Sequence, residues 1–180
     1  EGKFGTYYEG MGNRWLTNLI IRELDYADVP YYHVCPEYTD LPLRDRVSRA
    51  NRIYGSDKAV YLYSQHCNAG GGTGFEGFTS PGETLSDVLA VHFLEGLEKE
   101  FAPQGINMRY DLATKQIDKD ARFQVLTGTH CPAFLMETLF MDRAKDYELL
   151  WSQNFQQSFA CNIAGTMIAI YRGELSAPFA

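Results

Sequence analysis

Apolar positions along the chain recur at two spacings, and these spacings set the expected elements. From Asn13 to about Tyr26, the residues Leu16, Leu19, Ile20 and Leu24 lie three or four apart, as on a helix with one buried face. Asn13 is placed to cap its start. Leu43, Val47, Ala50 and Tyr54 repeat that pattern, with Asp40 and Pro42 near the first turn and Gly55 placed to stop it. A third helical stretch carries Leu85, Val88, Leu89, Phe93 and Leu97, and Thr84 with Asp87 has the spacing of a capping box. The last runs from about Tyr147 to Tyr171, with Trp151, Phe155, Phe159, Ile163 and Met167 at steps of four. Beyond Gly173 the pattern stops.

Between these helices lie shorter apolar runs. Residues 29–35 are rich in Tyr and Val and are closed by Pro36, which predicts a strand. Residues 59–63 are almost continuously apolar, as a strand covered on both faces would be. Residues 75–79, 123–126 and 133–138 are further strand candidates. A glycine-rich loop fills 68–74, and 104–121 is polar and aperiodic, so a long surface excursion is expected there. Strands alternating with helices imply an α/β fold, a three-layer sandwich with a mainly parallel twisted sheet flanked by helices. No repeat or linker interrupts the 180 residues, a length suited to one domain.

The composition excludes several classes of function. A net charge of −7 argues against nucleic acid as a partner. Arg44, Arg46, Arg49 and Arg52 form the only basic cluster, and Asp40 and Asp45 among them suggest a solvated face. No apolar run approaches the roughly 18 residues of a membrane helix, and no signal peptide opens the chain. The chain starts at Glu1 rather than Met, which favours a removed or unrecorded upstream segment. Cys35, Cys67, Cys131 and Cys161 make no Cys-x-x-Cys pair, so reduced, buried thiols are expected.

Chemistry in a parallel sheet collects at the carboxyl ends of strands. Two places satisfy that rule: Ser64-Gln65-His66-Cys67-Asn68-Ala69, and Glu137 within Phe134-Leu135-Met136-Glu137-Thr138. A carboxylate closing an apolar strand is costly to bury without a cation, a metal or donors. Taken singly, His66 is more often a satisfied core or loop histidine than a ligand, and Glu137 is as often half of a structural ion pair as a site residue.

The order of the pieces is more specific. Glu9 is followed by Asn13, then by Leu43 with Arg46, Ala50-Asn51, Gln65-His66-Cys67-Asn68-Ala69, and Cys131-Pro132-Ala133-Phe134-Leu135-Met136-Glu137. This succession resembles the zinc-dependent N-acetylmuramoyl-L-alanine amidases, particularly their phage-endolysin-like branch, over nearly the whole chain. The resemblance implies a peptidoglycan substrate, action on the bacterial cell wall and a Zn2+ cofactor. It implies Glu9 and His66 as the second and third metal ligands, with the remaining position left for water. Glu137 is implied as the catalytic carboxylate, which would take a proton from water and pass it to the departing amine. Asn68 is implied as a neighbour that orients His66 or meets substrate.

The Gly-His-Gly turn that supplies the first ligand in this family does not occur, and the first strand is expected to be missing with it. His33 in an apolar strand, His92 in a helix and His130 before Cys131-Pro132 are poor substitutes. Two other classes of function therefore stay open. One is an inactive amidase-fold module that binds cell-wall glycopeptide. The other is a cysteine hydrolase using Cys67, which is disfavoured because adjacent strand residues face opposite ways and His66 could not readily serve it.

Overall fold

A computed structural model describes residues 5–178. Helix α1 (Glu9–Tyr26) and α2 (Leu43–Ser56) come first, followed by β1 (Leu62–Asn68), β2 (Phe75–Thr79) and α3 (Leu85–Phe101). A two-residue strand β3 (Lys119–Asp120), a single turn α4 (Gln124–Thr127), β4 (Ala133–Phe140), α5 (Ala144–Leu150) and α6 (Gln153–Tyr171) complete the chain. The four strands lie in the order β1-β4-β2-β3. β1 runs parallel to β4 and β2 parallel to β3, while β2 and β4 are antiparallel. The expected α/β sandwich with a mostly parallel open sheet is what forms.

Side chains alternate between the two faces of each strand. One face takes Tyr63, Cys67, Phe75, Phe134 and Met136 and packs against α1, α3 and α6 through Leu16, Ile20, Leu89, Phe93, Leu97, Phe155, Phe159 and Ile163. Aromatic rings dominate it: Phe93 stacks on Phe134 at 5.3 Å between centroids, and Phe75 on Phe155 at 6.2 Å. The opposite face is covered only in part, where α2 and α4 meet Ala133, Leu135, Leu62 and Phe78 through Val47, Val125 and Leu126. Its upper half, toward the end of β1, is polar.

Several sequence expectations need correction. Residues 29–35 are not a strand: among the described residues none pairs with them in a ladder, and the segment is tied down by side chains. Arg49 donates to the Val34 carbonyl at 2.9 Å and pairs with Glu37 at 2.6 Å. Arg46 likewise bonds the Leu41 carbonyl and Asp40, so two of the four clustered arginines clamp this loop and do not form a simple solvated face. The strand expected at 59–63 begins at Leu62 and continues through His66 to Asn68, which puts the candidate histidine inside the ladder.

Where a strand was expected at 123–126, the turn α4 forms, its Leu126 and Thr127 amides closing back onto the Phe123 carbonyl. Helix α1 starts one turn earlier than expected, so Asn13 does not cap it. The final helix is two: Ser152 caps α6 by accepting from the Phe155 amide. Cys67 and Cys131 are buried thiols, but Cys35 is intermediate and Cys161 exposed. Among the described residues no helix is long and apolar enough to cross a membrane.

Candidate functional site

The polar upper half of the open face is assembled from three elements. Glu9 is the first residue of α1, where a carboxylate complements the positive end of the helix dipole. Its Oε1 accepts from Asn13 Nδ2, one turn on, at 3.0 Å. The same oxygen lies 3.1 Å from His66 Nδ1 and 3.5 Å from the Cys67 amide. His66 is thus held on both sides, with Nε2 3.1 Å from Ser64 Oγ. The His66 hydrogen bond, working against burial, holds the Glu9 carboxyl below its ordinary range.

Glu137 occupies the middle of the site. In the ladder it stands opposite His66 on β1 and opposite Glu76 on β2, so the three side chains form one row across the same face. Its Oε2 is buried and has no hydrogen-bond partner. Burial pushes the Glu137 carboxyl up to about 7; His66 opposes this, and the nearby Glu9 and Glu76 charges add to it. A carboxyl poised there can both take and give a proton near neutral pH.

The ladder is irregular beyond this row. His66 pairs with Glu137, but Asn68 pairs with Phe140, so β4 carries one extra residue, and Leu139 there has φ +63°. A bulge of this kind ends regular pairing and re-aims side chains. Asn68 Nδ2 donates to Glu76 Oε2, not to His66, so the expected role in orienting the histidine is not borne by a direct contact.

The glycine loop after β1 is fastened from beneath. Asp142 accepts from the Gly70 and Gly71 amides, and Asp146 from Thr73 Oγ1 and the Gly74 amide. Gly74 has φ +92°, and a Cβ there would lie 2.2 Å from the Asn107 carbonyl oxygen, so this position requires glycine.

One part of the site escaped the sequence reading. Glu76 is nearly buried, and its Oε1 binds both Arg109 Nε, at 3.0 Å, and Lys119 Nζ. A charged residue inside the apolar strand Phe75–Thr79 was the available signal for Glu76. Its partners come from the aperiodic segment and carried none.

The donor set can be weighed against a zinc ion. Two donors on a tetrahedral zinc at about 2.0–2.1 Å stand roughly 3.3 Å apart, close to the 3.1 Å between Glu9 Oε1 and His66 Nδ1. Among the described residues, however, no group of three His, Cys, Asp or Glu is gathered for a metal. His33, His92 and His130 do not join the pair: His92 bonds Ser176, while His33 lies near Arg14 and Glu37. The expectation that the first strand is missing falls outside the described residues. The residues present fit two of the three protein positions of a hydrolytic zinc site.

Cys67 faces the apolar side of the sheet, 3.6 Å from the Tyr7 hydroxyl, and burial pushes its thiol up to about 12. A buried protonated thiol there is no nucleophile, which removes support from the cysteine-hydrolase alternative.

Comparison with known proteins gives a consistent result. A family model described as N-acetylmuramoyl-L-alanine amidase matches residues 2–169. The N-acetylmuramoyl-L-alanine amidase CwlM of Bacillus licheniformis is 30% identical over 177 residues, covering 90% of this chain and 62% of that protein. A sporulation-specific N-acetylmuramoyl-L-alanine amidase of Bacillus subtilis is 33% identical over 121 residues, covering 66% of this chain and 41% of its own length. The chain therefore spans about three fifths or less of these relatives. Among solved structures, an N-acetylmuramoyl-L-alanine amidase from Clostridium difficile 630 superposes with a TM-score of 0.80 at 19% identity, over 97% of this chain and 89% of that one. The catalytic domain of CwlV from Bacillus (Paenibacillus) polymyxa gives 0.70 at 22% identity, over 97% and 90%. At these identities the structures establish the fold.

Proposed function

Because this chain belongs to the N-acetylmuramoyl-L-alanine amidase family, we propose that it hydrolyses the amide between N-acetylmuramic acid and L-alanine in bacterial peptidoglycan, acting on the cell wall as a single catalytic domain. The observation that carries this reading is the row of His66 and Glu137 with Glu9 against the imidazole, in which the one buried, unpartnered carboxyl oxygen belongs to Glu137. A desolvated carboxyl with a spare oxygen suits proton transfer better than it suits a structural role.

Glu9 and His66 would hold zinc, with a third protein donor from a Gly-His-Gly turn of the family's kind, which this sequence does not contain. When bound, that ion would polarise the scissile carbonyl and acidify water. Glu137 takes the proton from the attacking water and delivers it to the alanine nitrogen as the amide C–N bond breaks. Asn13 keeps Glu9 Oε1 turned toward the histidine, and Ser64 fixes the ring from the other side. Asn68 acts on substrate through Glu76, because that is where its amide is bound.

Glu137→Gln tests the reading. The variant is expected to keep the fold while release of new L-alanine amino termini from cell wall falls by a factor on the order of 10²–10⁴. Unchanged release would remove Glu137 from the mechanism. Binding of glycopeptide by a wild-type chain that cleaves none, with zinc supplied, would favour an inactive binding module.

A further inference from the structure

The row across the open face does not end at Glu76. Residues 107–109 run beside β2, with Met108 bridged to Phe75 and the Arg109 amide bonded to the Phe75 carbonyl. β3 continues the same edge, with Lys119 opposite Phe78. Both cationic side chains turn back over the polar face and meet on one oxygen, Glu76 Oε1. The other oxygen is occupied by Asn68. Two cations therefore meet on one carboxylate, with Asp111 also near Lys119, in a protein whose net charge is −7.

The corner is built to present these cations. Glu76 has 8% of its side chain exposed, Lys119 19% and Arg109 41%. The guanidinium is bound through Nε and lies 5.1 Å over the Phe140 ring, so its position is fixed from two directions while the side chain stays partly exposed. A pair of cations needed only to neutralise Glu76 would not require the second one. A planar fork held on an aromatic face suits a carboxylate.

We propose that Arg109, with Lys119, binds a carboxylate of the peptide on the far side of the scissile amide, and that Glu76 is the positioning residue for both. The inference rests on the amidase reading of the His66–Glu137 centre. In the substrate the lactyl carboxyl of the muramic acid is consumed in the scissile bond, so carboxylates remain on the peptide side. Neighbouring strands are about 4.8 Å apart, so the cationic edge stands about 10 Å from β4, and the side chains lean back from it. An extended peptide advances roughly 3.4 Å per residue, which brings the acid groups of the residue after L-alanine to the corner.

The test uses binding first, so that it does not depend on turnover. N-acetyl-L-alanyl-D-glutamate and its neutral bisamide are titrated, without metal, against the wild-type chain, Arg109→Met and Arg109→Lys. The wild type is expected to bind the diacid about ten- to a hundredfold more tightly, as charge-assisted hydrogen bonds imply. Arg109→Met should abolish the preference, and Arg109→Lys, which keeps the cation and its link to Glu76, should retain part of it. Circular dichroism of each variant establishes that it is folded, and Arg109→Lys carries the comparison if Arg109→Met is not. In turnover of N-acetylmuramoyl-L-alanyl-D-glutamate, Arg109→Met should raise KM far more than it lowers kcat. Equal affinity of the wild type for both peptides, or a preference that survives Arg109→Met, overturns the proposal. A wild type that binds the diacid selectively but hydrolyses no muramoyl peptide, even with zinc and an upstream Gly-His-Gly segment supplied, overturns the amidase reading and leaves the anion corner standing.

Discussion

The two faces of the sheet are made by the same four strands and obey opposite rules. On the helix-covered face, Phe75, Phe134, Phe155 and Phe159 are buried to 5% exposure or less; Phe75, Phe155 and Phe159 stack on one another and Phe134 on Phe93. On the open face, one step along each strand, Glu76, His66 and Glu137 stand in a row with incomplete satisfaction. The first face has settled its interactions within the chain. The second keeps a buried oxygen and a partly exposed cation for something the chain lacks. Stability and function are therefore separable by strand parity, and substitutions should sort accordingly.

The largest effect that sharpens this contrast is expected from Phe155→Ala. Removing a ring that stacks against Phe75 and Phe159 should cost roughly 3–5 kcal/mol of stability, read from urea unfolding. Glu137→Gln, on the other face, should leave the unfolding free energy within about 1 kcal/mol or raise it. An unchanged midpoint for Phe155→Ala would erase the distinction.

Next in size is metal retention. With two donors among the described residues, zinc per chain after dialysis is expected to fall below one, and His66→Ala or Glu9→Ala should remove what remains. Supplying a Gly-His-Gly segment upstream should raise occupancy and hydrolysis together. One tightly held zinc in the chain without that addition would mean a third donor elsewhere in it.

The smallest effect is the pH dependence of stability without metal. The Glu137 carboxyl is raised from 4.5 to about 7, so between those values the unfolded chain has shed a proton that the folded chain keeps. Its contribution to stability therefore declines as pH rises through that window. Glu9 is shifted the other way, so its contribution is present above 4.5 and is lost as pH falls below it. Melting temperatures at pH 4.5, 5.5 and 7 should show a steeper decline in the wild type than in Glu137→Gln. Parallel curves would mean that Glu137 is solvated.

Much of this was legible in the sequence because the signals were local. Thr84 and Asp87 form the capping box their spacing implies, and Glu137 falls on the strand that its apolar neighbours predict. Glu9 and His66, 57 positions apart, meet as the family order implied. What failed depended on partners. Residues 29–35 have strand composition but no ladder partner among the described residues. The four-residue period carried through Trp151 because a break capped by Ser152 leaves the spacing intact. Arg109 and Lys119 sit in an aperiodic stretch, and only the fold of that stretch against β2 gives them a role.

Asp146 carries one more consequence. It is 2% exposed, and its Oδ2 accepts from both the Gly74 and Phe140 amides while Oδ1 takes Thr73. The glycine loop and the end of the bulged strand are thereby tied to one carboxylate at the start of α5. Both depend on the same acceptor, so Asp146→Ala is expected to loosen the loop and the strand end together, read as parallel loss of amide protection at Gly74 and Phe140.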